Sequence, residues 1–219
     1  MLRSRREDSG KGKAMIVEKT ALKPPARRAV ARWISIIIHP IVYPLVTLAI
    51  IIDVATHGNL GLSFRFLLLA LALTSLPVTL LVGYQVARGH WTDLDVSVRK
   101  QRYFLYPFGL AGLILLAVAF KWLGAPAVAV KAAVAYVIAN VADGVINFWY
   151  KVSAHTTSAA VCATLLTILV PALAVPSIAA AVAVAWSRVE LGRHTIGQAI
   201  LGLAVGAGSV IATFAVGRF

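Results

Sequence analysis

Residues 104–122 read FLYPFGLAGLILLAVAFKW, nineteen positions whose only charge is Lys121 near the end. Polar and apolar residues do not alternate, so the run is not a barrel strand. As a helix rising 1.5 Å per residue it covers about 28 Å, the thickness of a bilayer's hydrocarbon core. Similar runs flank it. They lie at about 33–52, 62–86, 127–148, 156–175 and 196–216, with a short one at 177–186. The expected fold is all-α, a polytopic membrane bundle of six or seven transmembrane helices.

Composition agrees. Of the 219 residues 60% are hydrophobic and 13% charged, and mean hydropathy is +0.85. A water-soluble fold has no place for that much apolar surface, whereas a bilayer covers it, provided helices satisfy the backbone internally. The net charge of +13 does not indicate nucleic acid, because the cations cluster in segments flanking the apolar runs. The partners expected are the bilayer and anionic head groups or phosphate. Cys162 lies in an apolar run and reads as a small core residue.

Residues 1–32 hold ten Lys/Arg, with Gly10, Gly12 and Pro24-Pro25 among them. They read as a flexible basic arm, ending in a short interfacial helix around Arg27, Arg28 and Arg32, ahead of a transmembrane domain at 33–219. The charged stretch is too long for a signal peptide. Sorting the loops by span puts seventeen of the 21 Lys/Arg on the amino-terminal side, cytoplasmic by the positive-inside rule.

Three polar segments arrive on that side: Asp95-Val-Ser-Val-Arg99-Lys100-Gln-Arg102-Tyr103, Lys151-Val-Ser153-Ala-His155, and Ser187-Arg188-Val-Glu190-Leu-Gly-Arg193-His194-Thr-Ile-Gly-Gln198. Guanidinium forks bind phosphate oxygens, one imidazole attacks phosphorus and a second protonates the leaving oxygen; together these groups are a kit for phosphoryl transfer.

The third segment resembles the last signature of the type 2 phosphatidic acid phosphatase (PAP2) superfamily, Ser-Arg-x5-His-x3-Asp, at Ser187, Arg188 and His194. The second resembles that family's Pro-Ser-Gly-His, with Ser153 and His155 in place and Val152 and Ala154 for Pro and Gly. In the first, Lys-x6-Arg-Pro, Arg102 fits the arginine while Asp95 and Tyr103 replace the lysine and proline. The resemblance covers roughly residues 60–217. It implies a metal-independent, cofactor-free lipid phosphatase in which His194 forms a phosphoenzyme and His155 is the general acid. Arg102 and Arg188 would clamp phosphate, with Ser153 donating a further hydrogen bond.

Two departures bear on activity. Gln198 stands where the family has the aspartate that orients the nucleophile, and Glu190, Asp95 and Asp143 are the candidate carboxylates to stand in for it. Glu190 is one turn from His194 if the stretch is helical. For the missing lysine the alternatives are Arg99, Lys100 and Lys151, the last on one face with His155 if their junction is helical. Asn140, Asp143, Asn147 and Lys151 form a helical stripe leading toward His155. Gly202, Gly206 and Gly208 read as close-packing positions, and His39 and His57 as structural or interfacial. The leading function is hydrolysis of a lipid phosphate or diphosphate, polyprenyl-linked or a phospholipid precursor. A lipid-phosphate binder or transporter that lost catalysis, and a lipid phosphotransferase, are the alternatives.

Overall fold

A computed structural model describes residues 25–216, all helix, turn and loop; residues 1–24, the greater part of the basic arm, lie outside the described residues. Eight helices are present among them: α1 (Pro25–Ile37), α2 (Val42–Ala55), α3 (Leu60–Ala87), α4 (Arg102–Trp122), α5 (Ala127–Ile146), α6 (Ala154–Leu169), α7 (Ala174–Glu190) and α8 (Ile196–Val216). Five stretches are long and apolar enough to cross a bilayer, or six if the bent pair α1–α2 is one span.

Proline positions explain where the helices depart from the apolar runs. The run at 33–52 is two helices bent by 48°, because a residue before proline is pushed out of the helical region and His39 precedes Pro40. Pro44 falls in the first turn of α2, where no backbone bond is lost. Likewise Val170 precedes Pro171, so α6 ends at Leu169 instead of reaching 175, and the short run at 177–186 grows into a continuous Pro171–Glu190 span. In α3 the strain of Pro77 is absorbed by a π turn, Leu71–Ser75, whose widened ring closes from the Leu76 N–H to the Leu71 carbonyl. A Cβ on Gly112 of α4 would collide with the Leu73 carbonyl in that turn.

The centre of the bundle is α6. It is only 16 residues long, about 24 Å, and buried on nearly every side from His155 to Leu166. Protein rather than lipid surrounds it, so it has no need of full bilayer length. Alanines, serine and threonines let its neighbours approach closely. Gly202 and Gly206 of α8 lie against it so tightly that a Cβ would strike Thr156 Oγ1 and the Thr157 carbonyl; Gly208, by contrast, faces open space. This contact fixes the start of α8 beside the start of α6.

α1 carries Arg27, Arg28 and Arg32. It buries Ala31 and Ser35 against the bundle and exposes Val30, Trp33 and Ile37. Arg27 pairs with Glu190 at 3.1 Å and lies over the Trp186 ring, tying the helix to the last turns of α7.

Candidate active site

The amino termini of α4, α6 and α8 meet the carboxyl terminus of α7 at one end of the bundle. Exposed N–H groups at helix starts favour an anion there. The three polar segments supply the side chains.

The spacing Ser187-Arg188-x5-His194 has a local cause. α7 ends in a Schellman turn around Gly192, whose φ is +69°. Gly192 N–H donates to Val189 O at 3.0 Å, and Arg193 and His194 N–H both donate to Arg188 O, at 3.0 and 3.2 Å. Backbone bonds therefore tie His194 to Arg188. Thr195 and Gln198 then form a capping box that starts α8: Gln198 N–H donates to Thr195 Oγ1, and Thr195 N–H donates to Gln198 Oε1, both at 3.3 Å.

That box decides the state of His194. Because Gln198 Oε1 already accepts from an N–H, its contact of 3.1 Å with His194 Nδ1 makes Nδ1 the donor. Nε2 then carries the lone pair. Burial, then the nearby Arg102, Lys151 and Arg188, push the His194 pKa down to about 3, with Gln198 opposing. The ring is neutral at physiological pH, as a nucleophile must be.

Arg188 is almost wholly buried. Its Nη1 donates to Ser35 Oγ and its Nη2 to Asp95 Oδ2, each at 2.9 Å. Asp95 also lies 3.7 Å from Arg193 Nε and 3.8 Å from His155 Nε2. The carboxylate at the position of the expected lysine thus sits among the guanidinium and imidazole groups of the three segments. It is held there by Val96, a β-branched residue at φ +46°, a strained conformation costing on the order of 1–3 kcal/mol. Packing against Val82 and Trp91 maintains it. So does Arg102, whose Nε donates to Val96 O at 2.8 Å while its Nη1 donates to Val152 O at 2.9 Å. Arg102 is accordingly a brace between two site segments as well as a buried positive charge.

Other expected residues have other partners. Lys151 donates to Arg193 O at 3.0 Å from a loop, since α6 begins only at Ala154, so it shares no helical face with His155. Burial and then the charges of Arg102, Arg188 and Arg193 lower its pKa. Arg99 donates to Phe148 O at 3.2 Å, bracing the α5–α6 junction with Asn147, which donates to Arg99 O. Glu190 belongs to the end of α7 and pairs with Arg27; the stretch from it to His194 is a turn, not a helix. Asp143 accepts from Thr157 Oγ1 at 3.0 Å within the bundle.

Two residues enter that the sequence did not single out for chemistry. Ser35 anchors Arg188. His39, in the break before α2, packs edge-on to His155 with ring centres 5.4 Å apart; the His-Pro break itself was the visible signal. Three buried polar atoms here lack hydrogen-bond partners: Arg188 Nε, Ser153 Oγ and His155 Nε2. Ser153 stands at the N-cap of α6 without capping it. Buried polar atoms are nearly always satisfied, and two donors and an imidazole nitrogen left open at this end of the bundle suit a phosphate and its ester oxygen.

The family model of the PAP2 superfamily matches residues 102–218. No curated protein and no solved structure matches the chain.

Proposed function

Since the chain belongs to the PAP2 superfamily, whose members act on phosphate esters, we propose that it is a membrane lipid phosphatase working through a phosphohistidine. The observation that carries this reading is the trio of unpartnered buried atoms, Arg188 Nε, Ser153 Oγ and His155 Nε2, beside a neutral His194.

In the proposed cycle, His194 Nε2 attacks phosphorus and the P–O bond to the lipid breaks. His155 Nε2 protonates the departing oxygen, and Arg188 with Ser153 holds the equatorial oxygens as charge builds on them. Water, deprotonated by His155, then cleaves the N–P bond and releases phosphate. Asp95 yields Arg188 to the substrate and holds the guanidinium in place between turnovers. No metal or cofactor takes part. The substrate is a polyprenyl-linked phosphate or a phospholipid precursor. The protein is a multi-pass protein of the cell membrane with its amino terminus and site facing the cytoplasm, a reading supported by the bias of seventeen basic residues among 21.

The reading is tested with purified protein and a panel of prenyl and glycerolipid phosphates. Phosphate release, with an acid-labile and alkali-stable phosphoprotein in quenched samples, is the expected result; tight binding without release from any of them would leave only the binder reading.

Gln198 allows a sharper test. In the serine-protease template, losing the orienting carboxylate costs about 10⁴ because the imidazole takes the wrong tautomer. Here the amide keeps the tautomer, so only the charge is missing. A hydrogen bond to a charged group exceeds a neutral one by about 1 kcal/mol, or roughly fivefold in rate. Gln198→Glu is therefore expected to raise kcat about fivefold and to move the acid limb of kcat/KM to higher pH, because a carboxylate raises the depressed His194 pKa. Gln198→Leu, lacking any acceptor, loses at least about 10². Paired pH profiles cancel the substrate's own titration, and an unmoved acid limb in Gln198→Glu would speak against His194 as nucleophile.

A further inference from the structure

Both ends of α1 meet the site end of the bundle. Arg27 pairs with Glu190 at 3.1 Å, and His39, just past the carboxyl end of the helix, packs on His155. Twelve residues of helical rise separate Arg27 from His39, about 18 Å, so α1 lies obliquely across that end instead of running down through it. Trp149, 77% exposed in the α5–α6 junction, stands at the same end, and such a ring belongs at the level of the head groups.

The helix has three faces. Ala31 and Ser35, one turn apart, are its buried residues among those described, and Ile34 and Ile38 beside them are partly buried. On the opposite side Val30, Trp33, Ile36 and Ile37 are each more than half exposed. Between the two lie Arg28 and Arg32, also one turn apart and exposed. An apolar face for acyl chains with a basic flank for head groups is the pattern of a helix seated in a bilayer surface, and its charge favours anionic lipid.

The buried face reaches the site. Ser35 Oγ accepts from Arg188 Nη1 at 2.9 Å, so the guanidinium is aimed in part by a hydroxyl on α1. That helix is lightly attached. The Arg27 side chain is 54% exposed in its pair with Glu190, which therefore contributes little, and the His39-Pro40 break supplies a hinge. Such an element belongs to the low-stability end of a fold.

We propose that anionic phospholipid head groups bind Arg28 and Arg32 on α1, and that this seating, relayed by Ser35, tightens the hold of Arg188 on phosphate. The proposal rests on the phosphatase reading for the ligand of Arg188, whereas the lipid site on α1 is independent of it. α1 has a seated and a lifted state, and an anionic surface favours the seated one about fivefold for each arginine that it meets. The coupling is reciprocal: the factor that head groups add to phosphate affinity, phosphate adds to theirs.

Thermal unfolding of the purified full chain in nonionic detergent gives its affinity for inorganic phosphate with added phosphatidylcholine or phosphatidylglycerol. Phosphatidylglycerol is expected to raise the melting temperature and to tighten phosphate binding about tenfold; phosphatidylcholine does neither. The double variant Arg28→Gln with Arg32→Gln, changed at exposed positions outside the site, loses both effects and keeps the phosphate affinity seen in phosphatidylcholine. In Ser35→Ala, phosphatidylglycerol still stabilises the protein but no longer changes phosphate affinity. Tightening that is absent in the wild type, or that survives in either variant, overturns the proposal. So does weaker phosphate binding in phosphatidylglycerol, which means that the lipid competes for Arg188. If the pattern holds while no lipid of the panel releases phosphate, the phosphatase reading falls and the lipid site on α1 stands.

Discussion

His194→Ala is expected to lower phosphate release by about 10⁴-fold or more while leaving lipid-phosphate affinity within a few fold. The two effects separate because the residues have separate tasks. In the proposed cycle His194 Nε2 alone forms the covalent bond, so its removal forces direct attack by water on an anionic phosphate. Arg188, Ser153 and the helix amino termini remain, so ground-state binding survives. The loss should also abolish the quenched phosphoprotein. His155→Ala keeps that adduct for substrates with a good leaving group such as p-nitrophenol, and fails with an alkyl leaving group that must be protonated. Full activity in His194→Ala would dismiss the covalent mechanism.

The second large effect concerns Arg188. Removing a donor that meets developing charge costs about 10²–10³ in kcat, and Arg188→Ala removes a whole fork, so roughly 10³ is expected. Stability falls as well. The substitution leaves Asp95 without its 2.9 Å partner and Ser35 without its donor; breaking a buried ion pair this way costs about 3–5 kcal/mol, toward the lower figure here because Asp95 is partly exposed and Arg193 is near. The two losses are separable by a second change. Adding Asp95→Asn to Arg188→Ala removes the orphaned carboxylate and is expected to recover much of the thermal stability in detergent, with no recovery of phosphate release. Activity returning along with stability would show that Arg188 acts only by holding the fold.

Much of the fold could be read directly, because a bilayer demands long apolar runs and the chain contains them. What misled was continuity of hydrophobicity. It joined α1 to α2 across Pro40 and carried α6 past Pro171, although the backbone limits of proline were present in the same residues. The site was legible where its spacing is local: Arg188 and His194 are joined by one turn, and Ser153 and His155 open one helix. It was not legible where side chains meet across the chain. Ser35 and Arg188 are 153 positions apart, and no periodicity announces such a pair. Asp95 reads as a defect in a motif until it is seen beside Arg188. Gln198 reads as a lost carboxylate, although Thr195-x-x-Gln198 is a capping box whose acceptor also meets the His194 ring. For Glu190 and Lys151 a shared face with the histidine required a helical stretch, and both intervals are turn or loop instead.

The link from α7 to α8 has a bearing on how this protein can vary. Between the Schellman turn and the capping box every backbone position has a hydrogen-bonded duty, so the hairpin has no slack. One residue inserted between Gly192 and Thr195 would swing the histidine away from the guanidinium, or turn α8 by about 100° and drive Gly202 and Gly206 off α6. Substitutions in this segment are tolerable in proportion to what each side chain touches; changes of length are not. Among descendants of this chain, insertions and deletions should therefore collect in the 123–126 turn at the opposite end of the bundle and spare the five positions between Arg188 and His194.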